Sequence, residues 1–311
     1  MKPVLIVNPR SGGGKTGKVW EEMRPAVERA LGGAEVLHTE RGGHAIDLAK
    51  EAAQAGAELV VAVGGDGTFN EVAGGLMLAK KEARIGMIGQ GTGGDFRKTL
   101  GLEHRLDKYL EALASGKERS IDVGLLSYAK EGEGAETRER HFVNITSAGM
   151  GGLVDKYVAS ASRAAGGKAA YFGASLKALV NSARGRLRLT ITHEGETSEV
   201  RLSSIMIAIC NGQFFGSGMH VAPMAKADDG VFEIVSMDAP TKLGFALRSG
   251  KIYKGEHLKD DTTTHLRGSK IVMTLENADV ADRFLLDVDG EPLGGLPATI
   301  TCLPKALVLR G

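Results

Sequence analysis

The sequence predicts an α/β N-terminal domain with a parallel sheet, followed by an antiparallel β domain. Over residues 1–122, short apolar strands alternate with helical patterns, and this order is typical of a parallel sheet covered by helices on both faces. Beyond residue 122 strand patterns dominate and long helical patterns are few. Glycine-rich turns follow three of the N-terminal strands, and ligands of parallel sheets bind beyond such carboxyl ends.

The elements of the first domain follow from the spacing of their apolar residues. Each predicted strand is a short apolar run, and each predicted helix repeats apolar residues every three or four positions. The predicted strands span residues 4–7, 34–38, 59–63 and 84–88, and the predicted helices span residues 18–31, 44–55 and 68–79.

The second domain is predicted mainly from β-rich runs, with one helix over residues 168–184. The last strand pattern, 297–309, is expected to return to the first domain. We therefore predict a nucleotide-binding domain of residues 1–122 joined by 297–311, and a second domain of residues 123–296. The principal β-rich runs cover residues 186–193, 199–210, 230–237 and 270–275.

The composition of the chain excludes several classes of protein. The chain has 39 Lys and Arg against 38 Asp and Glu, a formal net charge of +1, which argues against a dedicated nucleic-acid binder. The two cysteines, Cys210 and Cys302, lie in apolar runs and are expected to be core residues of a protein from a reducing compartment. We see no signal-peptide pattern and no run approaching ~18 apolar residues, so we expect a cytoplasmic protein that can still touch a membrane surface.

The second glycine turn, Gly64-Gly65-Asp66-Gly67-Thr68, directly follows an apolar strand and opens a helix. Glycine lets backbone N–H groups approach a ligand closely, and free N–H groups at the start of a helix favour phosphate. Because Asp66 repels a bare phosphate, its presence indicates that a cation or a hydroxyl proton is also bound there.

The first turn, residues 8–15, resembles a P-loop because it ends in Gly14-Lys15-Thr16. A P-loop requires a glycine where this chain has Pro9, so we reject that interpretation. A different phosphate loop, using the Ser11 hydroxyl and the glycine N–H groups, stays open beside a plain surface loop.

The third turn, residues 89–95, contains GxGxxG after a strand. A dinucleotide fingerprint normally occupies the first turn and needs an acidic residue at a second strand, whereas Glu111 lies in a helical pattern. A nicotinamide dehydrogenase is therefore disfavoured. Asp95 could simply cap a helix. Together with Asp66 and Asp122, which also lie near strand ends, it favours Mg²⁺ and nucleotide chemistry.

Two turns of the second domain carry carboxylates. Residues 222–230 read most simply as a turn before a strand, and Asp289-Gly290 is a standard hairpin pair. Glu291 directly follows Asp289-Gly290. It is a candidate base, because phosphoryl transfer needs a group that takes the proton of the accepting hydroxyl.

With these motifs the chain resembles the diacylglycerol kinase catalytic-domain family, in its bacterial soluble lipid-kinase branch, with sphingosine kinases as more distant relatives. The motifs occur in the family's order across nearly the whole chain. They are NPRSG (8–12), GGDGTFNEV (64–72), GTGGDF (91–96), APMAKADDG (222–230) and DVDGE (287–291).

The resemblance implies a C-terminal β-sandwich, ATP in the cleft between the domains and a lipid substrate. It makes Asp66, Asp95 and Asp122 organisers of catalytic Mg²⁺, and Glu291 the general base. A second, structural Mg²⁺ would use Asp229 and the carbonyls of Lys226 and Val231. The residues implied at the nucleotide are Asn8, Pro9, Arg10, Ser11, Gly12, Thr39, Gly64, Gly65, Asp66, Gly67, Thr68, Phe69, Asn70 and Thr92.

One position departs from the family, because Gly94 stands where an asparagine is usual. Two alternatives stay open: an NAD kinase, whose family shares GGDGT, and a nucleotide- or lipid-binding regulator without catalysis. The kinase interpretation includes transient membrane contact and allows a homodimer. Helix 168–184 could lie at a membrane interface, although core packing against the β-sandwich is the favoured explanation of its apolar face.

Overall fold

The computed structural model describes residues 2–91, 93–129, 137–160 and 167–311, and the side chains of all of these except 159 and 167–172. The first part of the chain alternates strands and helices. Its elements are β1 (Val4–Val7), α1 (Lys15–Leu31), β2 (Glu35–His38), α2 (His44–Gln54), β3 (Leu59–Gly64), α3 (Asp66–Ala79), β4 (Arg84–Gly89), α4 (Asp95–Thr99) and α5 (Leu106–Ser115).

The first four strands form a parallel sheet in the order β2-β1-β3-β4. β1 and β3 are buried along their whole length, which explains why their sequences are continuous apolar runs rather than alternating patterns. Parallel pairing brings the carboxyl ends of β1, β3 and β4 to one edge, where the three glycine turns begin.

The rest of the chain is mostly antiparallel. Its elements are β5 (Glu118–Ala129), β6 (Thr137–Phe142), β7 (Ile145–Gly149), α6 (Met150–Ser160), α7 (Gly167–Asn181), β8 (Gly185–His193), β9 (Glu196–Ser204), β10 (Met206–Cys210), β11 (Phe214–Phe215), β12 (Met219–His220), β13 (Phe232–Met237), α8 (Lys242–Ser249), β14 (Thr263–Gly268), β15 (Lys270–Leu275), β16 (Leu285–Val288), β17 (Glu291–Gly294) and β18 (Ala298–Arg310).

The last strand, β18, connects the two parts. It runs parallel to β4 at its end and antiparallel to β5 and β15, so that within the described residues one ten-stranded sheet extends from β2 to β9. A second sheet, in the order β14-β13-β10-β7-β16-β17, packs against the antiparallel part of the first. The predicted fold class, a parallel α/β domain plus an antiparallel β-sandwich, is confirmed. The domain limits stay predictions.

Two expectations about the second part need correction. The run 199–210 is not one strand: it ends β9 in the first sheet, turns at Ile205 and becomes β10 in the second sheet. Two further helices, α6 and α8, were missed, because their glycines and short lengths weaken the helical pattern. Among the described residues, no helix is long and apolar enough to cross a membrane.

Candidate active site

The three glycine turns meet at the edge of the parallel sheet. A Cβ atom added to Gly91 would lie 2.6 Å from the Cα atom of Gly65, so the second and third turns are in backbone contact. A Cβ atom on Gly12 would lie 2.8 Å from the carbonyl oxygen of Gln90, and Gly12 has a φ of 61°. Only glycine fits such an approach, which explains the composition of these turns.

Hydrogen bonds join the first two turns. The Asn8 side chain donates to Thr68 Oγ1 at 3.0 Å, and the Asn8 N–H donates to the carbonyl of Val63 at 3.0 Å. The first turn closes on itself, because the Asn8 carboxamide oxygen accepts the Arg10 N–H and the Asn8 carbonyl accepts the Ser11 N–H. Asn8 therefore holds the first turn against the start of α3.

The remaining residues predicted at the nucleotide lie around this junction. The Pro9 carbonyl accepts the N–H of Gly17, and Thr39 is buried with its N–H bonded to the end of β1. Phe69 packs its ring 5.6 Å from that of Phe96. Gly64 is pressed against the Thr68 side chain, whereas Gly67 has open space around it. Thr92 lies outside the described residues.

Asp66 and Asp95 form the acidic centre of the site. The Asp66 carboxylate accepts the backbone N–H groups of Asp95 and Phe96 at 3.0 and 3.2 Å. Burial raises the pKa of Asp66, and these N–H groups only partly offset that effect. Asp95 is itself buried, with one oxygen 2.7 Å from Lys98 Nζ and the other accepting the Ser217 N–H at 2.8 Å.

Asp289 is a site residue that sequence reasoning did not assign, although it lies in the quoted motif DVDGE. Its side chain accepts the N–H of Ile145 at 3.0 Å, and its other oxygen is buried without a hydrogen-bond partner in the described structure. Burial and the nearby charge of Asp66 raise the pKa of Asp289 to about 7. The charge of Asp66 therefore acts on a carboxyl group that belongs to the β-sandwich.

This acidic centre fits a divalent cation. A Cβ atom on Gly93 would lie 3.3 Å from Asp66 and 3.7 Å from Asp95, so the backbone leaves room in front of both carboxylates. Lys98 is the nearest cation in contact with Asp95, and one oxygen of Asp289 has no partner. The described residues form no complete cage of three or more metal-binding side chains.

Asp122 lies elsewhere. It is fully buried, and its two oxygens accept the N–H groups of Gly230 and Lys305, both at 2.6 Å. No hydrogen bond or ion pair of the described residues joins it to Asp66 or Asp95. The structure instead associates Asp122 with the turn 226–231, which it ties to β18.

That turn carries the residues predicted for a second ion. Asp229 pairs with Arg267 at 3.0 Å and accepts the N–H of Val231 at 3.4 Å, while Lys226 is exposed. Burial, Glu233 and Asp122 raise the pKa of Asp229. The carboxylates of Asp122, Asp229 and Glu233 make binding of a cation near this turn favourable. Arg267, however, already neutralises one oxygen of Asp229.

Glu291 lies in a separate charged cluster at the start of β17. It is paired with Arg140, and its side chain is 46% exposed. Glu71, which follows the second glycine turn, lies near this cluster. Burial raises the pKa of Glu71, and the charges of Glu291 and Arg140 also affect it. Glu71 also accepts the N–H groups of Gly43 and Ala45 at the start of α2, at 3.1 and 3.2 Å. Glu71 lies in the quoted motif GGDGTFNEV but was given no role from the sequence, and Arg140 was not singled out, because nothing local marks it.

A buried acid pair supports the DVDGE turn from behind. Asp287 accepts a hydrogen bond from the Ser147 hydroxyl and interacts with Asp155 of α6. Burial raises the pKa of Asp155 to about 7 and that of Asp287 well above its usual value, so the pair retains a proton near neutrality. The turn that carries Asp289 and Glu291 is thereby fixed to α6.

Comparisons with known proteins identify the family of the chain. A sequence model described as the diacylglycerol kinase catalytic domain matches residues 2–126, and one described as the YegS C-terminal NAD kinase beta sandwich-like domain matches residues 144–310. The chain is 34% identical to a Chromohalobacter salexigens protein named "Probable lipid kinase YegS-like", over 93% of this chain and 88% of that protein. It is 26% identical to the diacylglycerol kinase of Bacillus subtilis, over 94% of this chain and 90% of that protein.

Solved structures show the same fold. A diacylglycerol kinase structure from Bacillus anthracis matches with a TM-score of 0.70 at 20% identity, covering 99% of this chain and 96% of the other. The yeast NADH kinase in complex with NADH matches with a TM-score of 0.51 at 12% identity, covering 99% of this chain and 82% of the other. At these identities the likeness concerns the fold alone.

Proposed function

Since the chain belongs to the diacylglycerol kinase catalytic-domain family of lipid kinases, we propose that it transfers the γ-phosphoryl group of ATP to a hydroxyl group of diacylglycerol or a related lipid. The observation that carries the proposal is the contact of Asp66 with the third glycine turn. Through it, the half-buried carboxylate of Asp66 and the buried carboxylate of Asp95 lie beside glycine-rich backbone turns, which are suited to phosphate binding.

The nucleotide would bind across the three turns. In this proposal, N–H groups of the first turn and of the start of α3 bind phosphate oxygens, and the residues predicted from the sequence surround the nucleotide. Asp66 and Asp95 would hold Mg²⁺, and Asp289 would add negative charge close to Asp66. When bound, the ion would neutralise phosphate charge and align the transferred group. Asp122 supports the site indirectly in this proposal, by fixing the turn that contains Asp229.

Glu291 is the proposed base. Its exposed carboxylate would take the proton of the lipid hydroxyl while that oxygen forms a bond to the γ-phosphorus. The bond between this phosphorus and the bridging oxygen breaks, and ADP leaves with that oxygen. Arg140 holds the Glu291 carboxylate in place, and Glu71 couples this cluster to the N-terminal domain. Asp229, with the carbonyls of Lys226 and Val231, stays the proposed site of a second, structural ion.

The test is transfer of radiolabel from ATP to lipids dispersed in detergent micelles. We expect a phosphorylated product from diacylglycerol or a related lipid, and loss of that product with Glu291→Gln. Bound ATP without a product from any lipid of a broad panel would overturn the proposal and favour a non-catalytic regulator. A parallel reaction with NAD as acceptor separates the NAD kinase alternative, which predicts NADP.

A further inference from the structure

Two neighbouring helices present apolar side chains to solvent. On α7, Leu176 and Val180 are 55% and 64% exposed, and on α8, Leu243 and Leu247 are 70% and 76% exposed. Tyr253, in the 3-10 helix that follows α8, is also exposed. Elsewhere among the described side chains, large apolar groups are exposed only at Leu78 and Val158. This clustering of apolar surface is unusual for a face that only meets water.

The exposed residues point outward because the opposite faces of both helices are buried. Ala174 and Ala178 of α7 pack against α6, and Phe245 of α8 packs into the core beneath the second sheet. Positions two residues away from a buried residue lie on the other side of a helix. The two helices are joined directly, since Lys242 Nζ donates to the carbonyl of Val180 at 2.5 Å. We call the face formed by Leu176, Val180, Leu243, Leu247 and Tyr253 the apolar face.

Basic residues accompany this apolar face. α7, α8 and the 3-10 helix Gly250–Lys254 each contain two Lys or Arg residues and no Asp or Glu, in a chain whose charges nearly balance. Arg248 and Lys251 pair with Asp261 and Asp260 of the following segment, whereas Lys254 has no ion-pair partner among the described residues. An apolar face bordered by positive charge is complementary to an anionic bilayer surface.

Helix α6 packs between the helix that carries part of the apolar face and the DVDGE turn. α7 packs against α6, and the first turn of α6 lies against the acid pair behind the DVDGE turn: a Cβ atom on Gly151 would lie 3.1 Å from Asp287. α6 also contacts β17, the strand that begins with Glu291. Contacts through α6 therefore connect α7 with the strand that carries the proposed base.

We propose that the apolar face of α7 and α8 is a docking surface for an anionic phospholipid bilayer. The leucines and Tyr253 insert among the lipid headgroups, and the lysines bind their negative charges. The inference rests on the proposed lipid kinase function and extends it, because it assigns the surface through which the enzyme reaches a membrane-embedded substrate.

The test is flotation of the full chain, without ATP, with vesicles of phosphatidylcholine alone and of phosphatidylcholine mixed with phosphatidylglycerol. We expect binding mainly to the mixed vesicles. The double substitution Leu243→Ser with Leu247→Ser should weaken binding by about tenfold or more. Leu78→Ser, which removes an exposed leucine from α3, is the matched control and should bind as the parent protein does.

Charge is tested separately. Lys251→Gln with Lys254→Gln should reduce binding to the mixed vesicles, and Lys50→Gln with Lys81→Gln, which removes two exposed lysines of the N-terminal part, should not. Unchanged flotation of the leucine variant would overturn the inference. A parent dimer that becomes monomeric in that variant, with no flotation of either, would instead show that the face joins two copies of the chain.

Different results would contradict the docking surface and the lipid kinase function. Phosphorylation of micellar lipid does not require a bilayer, so the leucine variant should keep its activity in micelles. Micellar activity without vesicle binding would contradict only the docking surface. Vesicle binding that depends on the apolar face, in a protein with no phosphoryl transfer, would contradict only the kinase proposal.

Discussion

The carboxylate of Asp66 accepts the backbone N–H of Asp95 at 3.0 Å. This bond joins the turn after β3 to the turn after β4, and a second bond to Phe96 fixes the start of α4. A group proposed to bind a cation is therefore also a structural link between the second and third glycine turns. Substitutions at Asp66 must separate these two roles.

We predict that Asp66→Asn lowers phosphoryl transfer by about 10²–10³-fold, because the variant loses the charge that holds the cation. The amide oxygen can still accept one backbone N–H, so the free energy of unfolding should fall by only about 1 kcal/mol. Rates in micelles and urea unfolding measure the two effects. Asp279→Asn, at an exposed carboxylate, is the control and should change neither. Equal rates in both variants would exclude a cation at Asp66.

Gly91→Ala should separate the second and third turns. The added methyl group would lie 2.6 Å from the Cα atom of Gly65, and backbone atoms cannot move away cheaply. We expect weaker ATP binding, by about tenfold, and lower stability, by about 1–3 kcal/mol. Isothermal titration with ATP and thermal unfolding are the measurements.

The control for Gly91 is Gly74→Ala within α3, where an added Cβ meets nothing within 4 Å. Alanine favours the helix there, so this variant should be more stable by about 0.5–1 kcal/mol and bind ATP normally. If Gly91→Ala also kept full ATP affinity, the contact between the turns would not shape the nucleotide site.

The glycine turns and the parallel strands could be predicted from sequence because their signals are local. An apolar run followed by glycines reports a strand end within ten residues, and parallel pairing then brings the ends of β1, β3 and β4 together. The bend at Ile205 could not be predicted, since the β-rich run continues through it while the chain passes from one sheet to the other.

The acidic residues were predicted less completely, because their partners are distant in sequence. Arg140 and Glu291 pair across 151 positions, and Asp122 reaches Lys305 across 183. Such contacts depend on sheet register and on the packing of the β-sandwich, which no local pattern encodes. Asp289 was quoted in a motif without a role, since its approach to Asp66 exists only in the folded chain.

The raised pKa of Asp289 predicts that the stability of the protein depends on pH. Its pKa is 3.8 without the protein environment and about 7 in the fold. Between these values the folded protein holds a proton that the unfolded chain has released. The free energy of unfolding should therefore fall as the pH rises through this window, by at most about 4 kcal/mol for this group. The contribution is present below pH 3.8 and lost above about pH 7.

Asp289→Asn should flatten this dependence, and urea unfolding between pH 4 and pH 8 measures it. Some slope will remain from Asp155 and Asp287, whose pKa values are also raised. Mg²⁺ should stabilise the parent protein at the alkaline end more than it stabilises the variant. The same slope in both proteins would show that Asp289 does not titrate in this window.

Glu291→Gln tests the proposed base. Loss of proton transfer should lower the turnover number by about 10²–10⁴-fold. Stability should change by less than about 1 kcal/mol, because the ion pair with Arg140 is partly exposed. Arg140→Gln keeps the carboxylate and loses only its positioning, so its turnover should fall less. Full activity of Glu291→Gln in micelles would remove Glu291 from the mechanism.

Gly94→Asn tests the position at which the chain departs from its family. Gly94 has φ 59° and ψ 41°, a left-handed conformation that asparagine tolerates better than other non-glycine residues. An added Cβ would lie 2.9 Å from Arg97 Nε, which is buried without a hydrogen-bond partner in the described structure. After a small shift of the flexible arginine, the asparagine oxygen could accept that N–H.

We therefore expect Gly94→Asn to raise the free energy of unfolding by about 0.5–1.5 kcal/mol, from the new hydrogen bond and the reduced freedom of the unfolded chain. Gly94→Ala is the matched control: it limits the unfolded chain equally but offers no acceptor, and it should be destabilised by about 1 kcal/mol. Phosphoryl transfer by the asparagine variant should equal or exceed that of the parent. An asparagine variant no more stable than the alanine variant would show that Arg97 does not use the amide. Activity that appears only in the asparagine variant would indicate that Gly94 makes the natural chain a regulator rather than an enzyme.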